Sequence, residues 1–221
     1  ARNGEDLTLS ADTLRLDGDE GRLTGTGAFV LHSPPRVRLR AQKGIYFTSG
    51  DTATLAGHVE FLYEADGSSS RLSADTCHVI LVEGEPVAVD WPHSVEGRLE
   101  DTQQTSWLKA QAGHADLADS RLFRLTLQGD VEVTHRGTGG RLSRFTAASM
   151  ELNYGDDGVL HRVHAEGDAL VRTRLTQDGE EPGGGASFNE VTGQRLEVDL
   201  VGGAVVVVRV LDTIEGQFMP E

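Results

Sequence analysis

Apolar and polar residues alternate along most of this chain, with the two-residue period of β-strands that bury one face. Residues 55–61, Leu-Ala-Gly-His-Val-Glu-Phe, show this alternation most clearly. Their apolar side chains predict a buried face, whereas His58 and Glu60 predict a solvent face. Gly57 interrupts the strand where a bulge or a close backbone approach would require a glycine.

Glycine-containing segments of this kind recur along the chain. Their glycines stand at positions 27, 57, 97, 129 and 167, which are separated by 30, 40, 32 and 38 residues. A period in this range indicates stacked structural repeats. Chance recurrence of strand-like segments is the alternative, but a second segment recurs in step with the first. We therefore predict a strand–turn–strand unit that is repeated about six times.

The second segment precedes each glycine strand and carries an alanine near its centre, as in residues 72–79, Leu-Ser-Ala-Asp-Thr-Cys-His-Val. In several copies the apolar spacing shifts by one residue after the alanine, which predicts a β-bulge. Helical periodicity is absent, and β-branched residues and glycine-rich turns dominate. The chain is therefore predicted to be all-β and antiparallel, with a first strand at 7–16 and a mobile loop at 177–187. The apolar segment 204–211 is expected to be either covered on both faces or an exposed edge strand.

The net charge of −15 argues against a nucleic-acid partner, which needs a cationic surface. The same charge argues against electrostatic adhesion to an anionic membrane. The single cysteine, Cys77, occupies an apolar strand position and is predicted to be a buried packing thiol. Length allows one or two domains, and the continuous repeats favour a single elongated domain over 1–221.

No constellation of catalytic residues is evident. The chain contains neither a nucleophile-elbow motif nor a phosphate-binding loop. His161 and His164 are close in sequence, but on a strand this spacing directs side chains to opposite faces, which disfavours metal binding. We therefore predict that the protein is not an enzyme, has no catalytic residues, and uses neither a metal nor a cofactor.

Three arginines, Arg36, Arg38 and Arg40, alternate with Val37 and Leu39 and are predicted to share one face. This face is either simply solvated or a local cationic stripe, because guanidinium groups suit phosphate and carboxylate groups.

The alternation of the two segments resembles the OstA-like family of lipopolysaccharide-transport proteins, which includes LptA, LptC and the N-terminal domain of LptD. The resemblance lies in residues 10–14, 55–59, 73–77 and 127–131. Members of the family commonly have Asn where this chain has His58 and Asp130. The pattern covers nearly the whole chain and is weakest in residues 83–109 and 172–195.

The resemblance implies a β-jelly roll that is open at its edges, with a V-shaped or taco-like cross-section. It also implies a periplasmic, Gram-negative protein of outer-membrane biogenesis, which shields the lipid A acyl chains during lipopolysaccharide transport. Its implied partners are lipopolysaccharide and other jelly-roll proteins of a transport bridge, joined by edge-strand pairing, with a homo-oligomer as a further option. Both a soluble LptA-like protein and an LptC-like protein, anchored by a segment outside this chain, remain open.

An apolar inner face in such a fold would hold hydrocarbon. The candidate lipid-groove residues are Phe29, Leu31, Leu55, Val59, Phe61, Leu127, Val131, Val133, Leu196 and Val198. Arg36, Arg38 and Arg40 are the candidate headgroup contacts. The alternative for each apolar residue is closed-core packing, as in a structural β-solenoid scaffold or an adhesin-type protein without lipid. A polysaccharide-active enzyme on a β-helix is a third hypothesis, and the repeats show no excess of acidic and basic residues to support it.

Overall fold

The structure is a computed structural model that describes residues 7–34, 36–65, 68–100, 104–118, 121–137, 141–155, 157–174 and 188–211. Within these residues all regular elements are β-strands, which confirms the all-β prediction. They are β1 (Thr8–Ser10), β2 (Thr13–Asp17), β3 (Arg22–Ser33), β4 (Val37–Phe47), β5 (Thr52–Ala65), β6 (Ser68–Val82), β7 (Glu85–Trp91), β8 (Val95–Glu100), β9 (Thr105–Ala110), β10 (Ala112–Ala118), β11 (Arg121–Arg136), β12 (Leu142–Tyr154), β13 (Leu160–Arg174), β14 (Phe188–Val201) and β15 (Ala204–Val210). The mobile loop expected at 177–187 lies outside the described residues. Across the described ranges, no helix is long and apolar enough to cross a membrane.

The strands form one antiparallel sheet in which most neighbours in space are neighbours in sequence. The main order is β1-β3-β4-β5-β6-β7-β10-β11-β12-β13-β14-β15. Of the remaining strands, β2 pairs with β3, β8 joins β6 to β9, and β9 also pairs with β11. The first strand predicted at 7–16 is instead divided into β1 and β2. The backbone leaves the sheet ladder at Ala11 and Asp12, where the Asp12 amide donates to Gly27 O at 2.9 Å.

The long strands bend at the predicted β-bulges. Between β5 and β6 the register shifts after Ala56 and resumes at Val59, so Gly57 and His58 stand opposite a single residue. Both residues have positive φ, +80° and +49°, which is the left-handed region that a glycine enters without strain. The same arrangement recurs at Gly27, Gly129 and Gly167 in β3, β11 and β13.

These aligned bulges fold the sheet back on itself into two layers. Layer A contains the described residues within 13–26, 43–56, 76–91, 112–128, 149–166 and 195–210. Layer B contains the described residues within 8–10, 29–41, 59–74, 95–110, 131–147 and 169–193. The ring of Phe61 in layer B meets the ring of Trp91 in layer A edge-on, with centroids 5.6 Å apart. The two layers therefore face each other across a shared apolar interior.

Cys77 confirms its prediction as a packing thiol. It is fully buried on the inner face of layer A. Burial raises the pKa of the thiol to about 12, so the group remains protonated and unreactive at neutral pH.

Candidate functional site

The inner surface of the folded sheet gathers all the residues proposed for a lipid groove. Each is at most 1% exposed to solvent. Layer B supplies Phe29, Leu31, Val59, Phe61, Val131 and Val133, and layer A supplies Leu55, Leu127, Leu196 and Val198. Phe29 and Val198, which are 169 positions apart in the sequence, thus lie on the same buried surface. The alternation predicts this, because it directs every second side chain of a strand to the interior. Their burial is equally that of a closed core, so their contact with lipid stays a prediction.

Cross-strand pairing makes this apolar surface continuous. In layer B, Leu31 pairs with Leu39, which pairs with Phe61, which pairs with Leu72. In layer A, Leu127 pairs with Met150, which continues through Ala165 to Leu196. An apolar band therefore crosses both layers perpendicular to the strands, along the long axis of the repeat.

The indole of Trp91 carries a buried polar group on this surface. Trp91 is fully buried, and within the described part of the chain its Nε1 has no hydrogen-bond acceptor. A buried donor without a partner costs about 1–3 kcal/mol. An acceptor from a bound molecule, such as an ester carbonyl, would satisfy it.

The two layers are connected differently along their two long borders. At the bulge line, continuous strands join them covalently. At the opposite border, which we call the seam, hairpin turns of the two layers meet only through noncovalent contacts. A cavity of about 20 Å³ lies in the seam, between Tyr63, Ser70 and Gln104 of layer B and Leu122 and Tyr154 of layer A. It accommodates a water molecule and is far too small for an acyl chain.

His135 forms a hydrogen bond across the seam. It is fully buried, and its Nε2 lies 2.9 Å from the carbonyl oxygen of Gly203 in the opposite layer. Because that carbonyl can only accept, Nε2 carries the proton. Nδ1 is therefore the acceptor for the hydroxyl of Ser106, at 2.8 Å. Sequence analysis missed this residue, although the alternation of Val131 and Val133 continues to position 135 and predicts an inward side chain.

Small polar residues line the layer B side of the seam. Ser70, Ser106 and Ser143 are buried at equivalent inward positions close to the turns. The hydroxyl of Ser143 lies 3.2 Å from that of Thr173 on the next strand. The register places Leu99 between Ser70 and Ser106, so the row of adjacent polar side chains runs from Ser106 through His135 and Ser143 to Thr173. The layer A side is mostly apolar and carries one buried phenol hydroxyl, that of Tyr154. Its buried leucines are Leu81, Leu117, Leu122, Leu160 and Leu200.

The three arginines proposed as headgroup contacts lie at the start of β4. Arg38 and Arg40 are exposed on the outer face of layer B, while Val37 and Leu39 are fully buried, as the alternation predicts. Arg40 forms an ion pair with Glu60 at 3.6 Å. Arg36 differs, because it is half-buried in the preceding turn, where its carbonyl accepts from the amide of Glu64 at 2.9 Å.

The outer face of layer A carries a histidine between two carboxylates. His114 Nδ1 bonds to Asp90, and its Nε2 lies 3.1 Å from Asp116, which is also held by Arg124 at 2.7 Å. Burial alone would lower the pKa of His114, but the hydrogen bonds and charges of the two carboxylates outweigh it and raise the pKa. The described residues contain no group of three or more side chains suited to hold a metal ion.

The geometry defines an all-β protein whose single sheet folds over an apolar interior and closes along a noncovalent seam. Comparison with protein-family models finds no match, and neither does comparison with curated proteins. Among solved structures, the chain is similar to LptH from Pseudomonas aeruginosa, described as the LptA-homologous periplasmic component of the lipopolysaccharide transport device. The identity is 11%, the TM-score is 0.37, and the match covers 85% of this chain and 94% of LptH.

Proposed function

We propose that this protein is a non-enzymatic periplasmic lipid carrier that shields lipid A acyl chains during lipopolysaccharide transport. The observation that carries the proposal is the asymmetry of the fold. An apolar inner surface runs the length of the sheet, and one of its two borders is held shut only by noncovalent contacts. Opening the seam while the bulge line acts as the hinge would expose a trough without breaking a strand, giving the V-shaped cross-section that the OstA-like resemblance implies.

The apolar surface provides a sufficient driving force for binding hydrocarbon. Transfer of one methylene from water is worth about 0.8 kcal/mol, so roughly ten methylenes per acyl chain contribute on the order of 8 kcal/mol before ordering costs. The groove residues named above would line the trough, and the indole N–H of Trp91 would donate to a carbonyl of the ligand. Arg36, Arg38 and Arg40 lie outside the trough and would contact headgroups.

The two ends of the sheet support assembly with further jelly-roll domains. At one end Leu14 and Leu16 of β2 are 46% and 69% exposed. At the other end β15 pairs only with β14 among the described strands, and its Val206 and Val207 are 53% and 38% exposed. Of the two alternatives for residues 204–211, this exposure supports the exposed edge strand. Unpaired strand edges flanked by apolar side chains favour addition of another strand, so we include end-to-end pairing with other bridge proteins in the proposal.

Site-specific photo-crosslinking tests the lipid role directly. A diazirine amino acid is placed at Leu127, which faces the interior, and at Gln128, the adjacent outward residue on the same strand. The probe is purified lipopolysaccharide. We expect adducts from position 127 and none from position 128. Folded protein that gives no adduct at position 127, or equal adducts at both positions, would contradict the proposal.

A reversible lock tests whether the ligand passes through the seam. A Cβ on Gly84 of layer A would lie 3.5 Å from the Cβ of Leu7, which is the separation that a disulfide requires. The variant Leu7→Cys/Gly84→Cys should therefore bind less of an apolar dye when oxidised than when reduced. The reduced form of the same variant is the control. Equal dye binding in the two forms would exclude opening at this end of the seam.

The second candidate function is a structural scaffold with a closed core. It is favoured by the 20 Å³ seam cavity and by the nearly complete burial of the interior. The crosslinking experiment separates the two candidates, because a closed core gives no lipid adduct at either position.

A further inference from the structure

Arginines from distant parts of the sequence align in one row on the outer face of layer B. The register places Arg38 beside Leu62, Leu62 beside Arg71, and Arg71 beside Arg98. The row continues from Arg98 through Trp107 and Thr134 to Arg144 and Arg172. Only the strand register brings these residues together, and the chain as a whole has a net charge of −15.

Two adjacent pairs in this row consist of like charges. Arg71 stands directly opposite Arg98, and Arg144 directly opposite Arg172. Like charges at directly opposed positions of an antiparallel pair are destabilising. Carboxylate partners are therefore needed to offset the repulsion within each pair.

Neighbouring carboxylates hold these arginines in place but leave them accessible. Glu60 lies 3.3 Å from Arg71, Glu100 2.7 Å from Arg98, Glu132 3.0 Å from Arg144 and Glu190 2.9 Å from Arg172. The arginine side chains remain 70%, 49%, 53% and 51% exposed, in the same order. Because a guanidinium has five N–H donors and these side chains are about half exposed or more, a second anion can reach them.

An exposed tryptophan lies between the two pairs. Trp107 is 37% exposed, and the guanidinium groups of Arg98 and Arg136 lie 5.5 and 5.6 Å from its ring centroid. Cation–π contacts at these distances orient the guanidinium groups and keep them near the indole. At about 4.8 Å per strand, the two arginine pairs are roughly 14 Å apart across Trp107.

The row lies directly beside the seam. Three residues of the row directly follow a buried serine of the seam in the sequence. They are Arg71 after Ser70, Trp107 after Ser106, and Arg144 after Ser143. A molecule whose tails enter the interior through the seam must leave its head at the border of one of the layers. The layer B border presents hydroxyl groups inward and guanidinium groups outward, whereas the described inner border of layer A is apolar apart from the hydroxyl of Tyr154.

We propose that the Arg71–Arg98 and Arg144–Arg172 pairs form a binding site for the phosphate or carboxylate groups of an amphiphile's head, while its hydrocarbon tails occupy the interior. This inference rests on the proposed function and adds a headgroup site distinct from Arg36 and Arg40. Guanidinium groups bind such groups through paired, charge-assisted hydrogen bonds. The two arginine pairs would engage anionic groups at two positions of one head.

Two lipids with identical tails and different heads provide the test. Calorimetric titration compares short-chain phosphatidic acid with the phosphatidylcholine of the same acyl chains, both below their critical micelle concentrations. The test variant is Arg144→Gln/Arg172→Gln. The matched control is Arg162→Gln/Arg209→Gln, which removes the same charge from arginines on the outer face of layer A with similar exposure, 49% and 46%.

We expect the test variant to bind phosphatidic acid at least tenfold more weakly and phosphatidylcholine unchanged, and the control to match the wild type. Three results would overturn the headgroup site. The test variant could lose the same affinity for both lipids, the control variant could lose as much affinity for phosphatidic acid as the test variant, or the test variant could lose no affinity.

A probe without tails separates this inference from the lipid-carrier proposal. If the wild type binds neither lipid, the proposed function fails and the row is tested alone with tripolyphosphate. If the wild type binds tripolyphosphate, and the test variant binds it more weakly while the control variant does not, the result would support an anion site in this row. Absence of tripolyphosphate binding, or equal binding by both variants, would overturn it.

Discussion

The substitution His135→Leu tests whether the seam is held shut by a specific hydrogen bond. The imidazole joins Gly203 O of layer A to Ser106 of layer B, at 2.9 and 2.8 Å. Leucine fills most of the same volume but donates and accepts no hydrogen bond. The carbonyl of Gly203 then loses its imidazole donor in the closed protein and can recover a partner from water if the seam opens.

The size of the effect follows from the burial of the groups involved. Leaving one buried polar group without its partner costs about 1–3 kcal/mol. Because the open seam restores hydration of Gly203 O, this cost favours opening. The ratio of open to closed protein should rise by about 5- to 150-fold, at a factor of ten per 1.4 kcal/mol.

Stopped-flow uptake of an apolar fluorescent dye measures the opening. The matched control is Ser106→Ala, which removes the other hydrogen bond of His135 but leaves the bond across the seam in place. Both variants should unfold at lower temperature than the wild type. Only His135→Leu should take up dye faster, by a factor within the range above.

Equal dye uptake by the two variants would refute this reasoning. In that case the hydrogen bond of His135 would contribute to stability within layer B and would not control the seam. Uptake slower than in the wild type would also contradict it.

Three further predictions concern other parts of the molecule. Gly137→Ala should accelerate dye uptake and lower the free energy of unfolding by about 1–3 kcal/mol, because the new methyl group would overlap the backbone of Gly203 across the seam. His114→Asn should lower the melting temperature more at pH 5.5 than at pH 9. The raised pKa of His114 means that its stabilisation is complete below the unfolded pKa of about 6.5 and is lost as pH rises through the folded pKa. Deleting residues 204–221 should reduce self-association or partner docking, and unchanged size-exclusion behaviour and partner binding would contradict end-to-end assembly.

Much of the fold could be predicted from the sequence, because strand alternation and bulge glycines are local features. Leu55, Val59 and Phe61 are inward-facing in any register that buries one face. Gly57 and the residue after it adopt positive φ, as the predicted bulge requires. Cys77 was predicted to be buried for the same reason.

The pairing of layers and the alignment of rows depend on tertiary structure. In the sequence, nothing distinguishes the four arginines of the row from ordinary solvated residues. Only the cross-strand register shows that they form two opposed pairs, Arg71–Arg98 and Arg144–Arg172. His135 was predictable as inward-facing, but its bond to Gly203 joins residues 68 positions apart across the seam. The sequence by itself determined which side chains face inward, because strand geometry alternates them. Only the tertiary structure decided which of them meet, because bulge alignment and strand register set those distances.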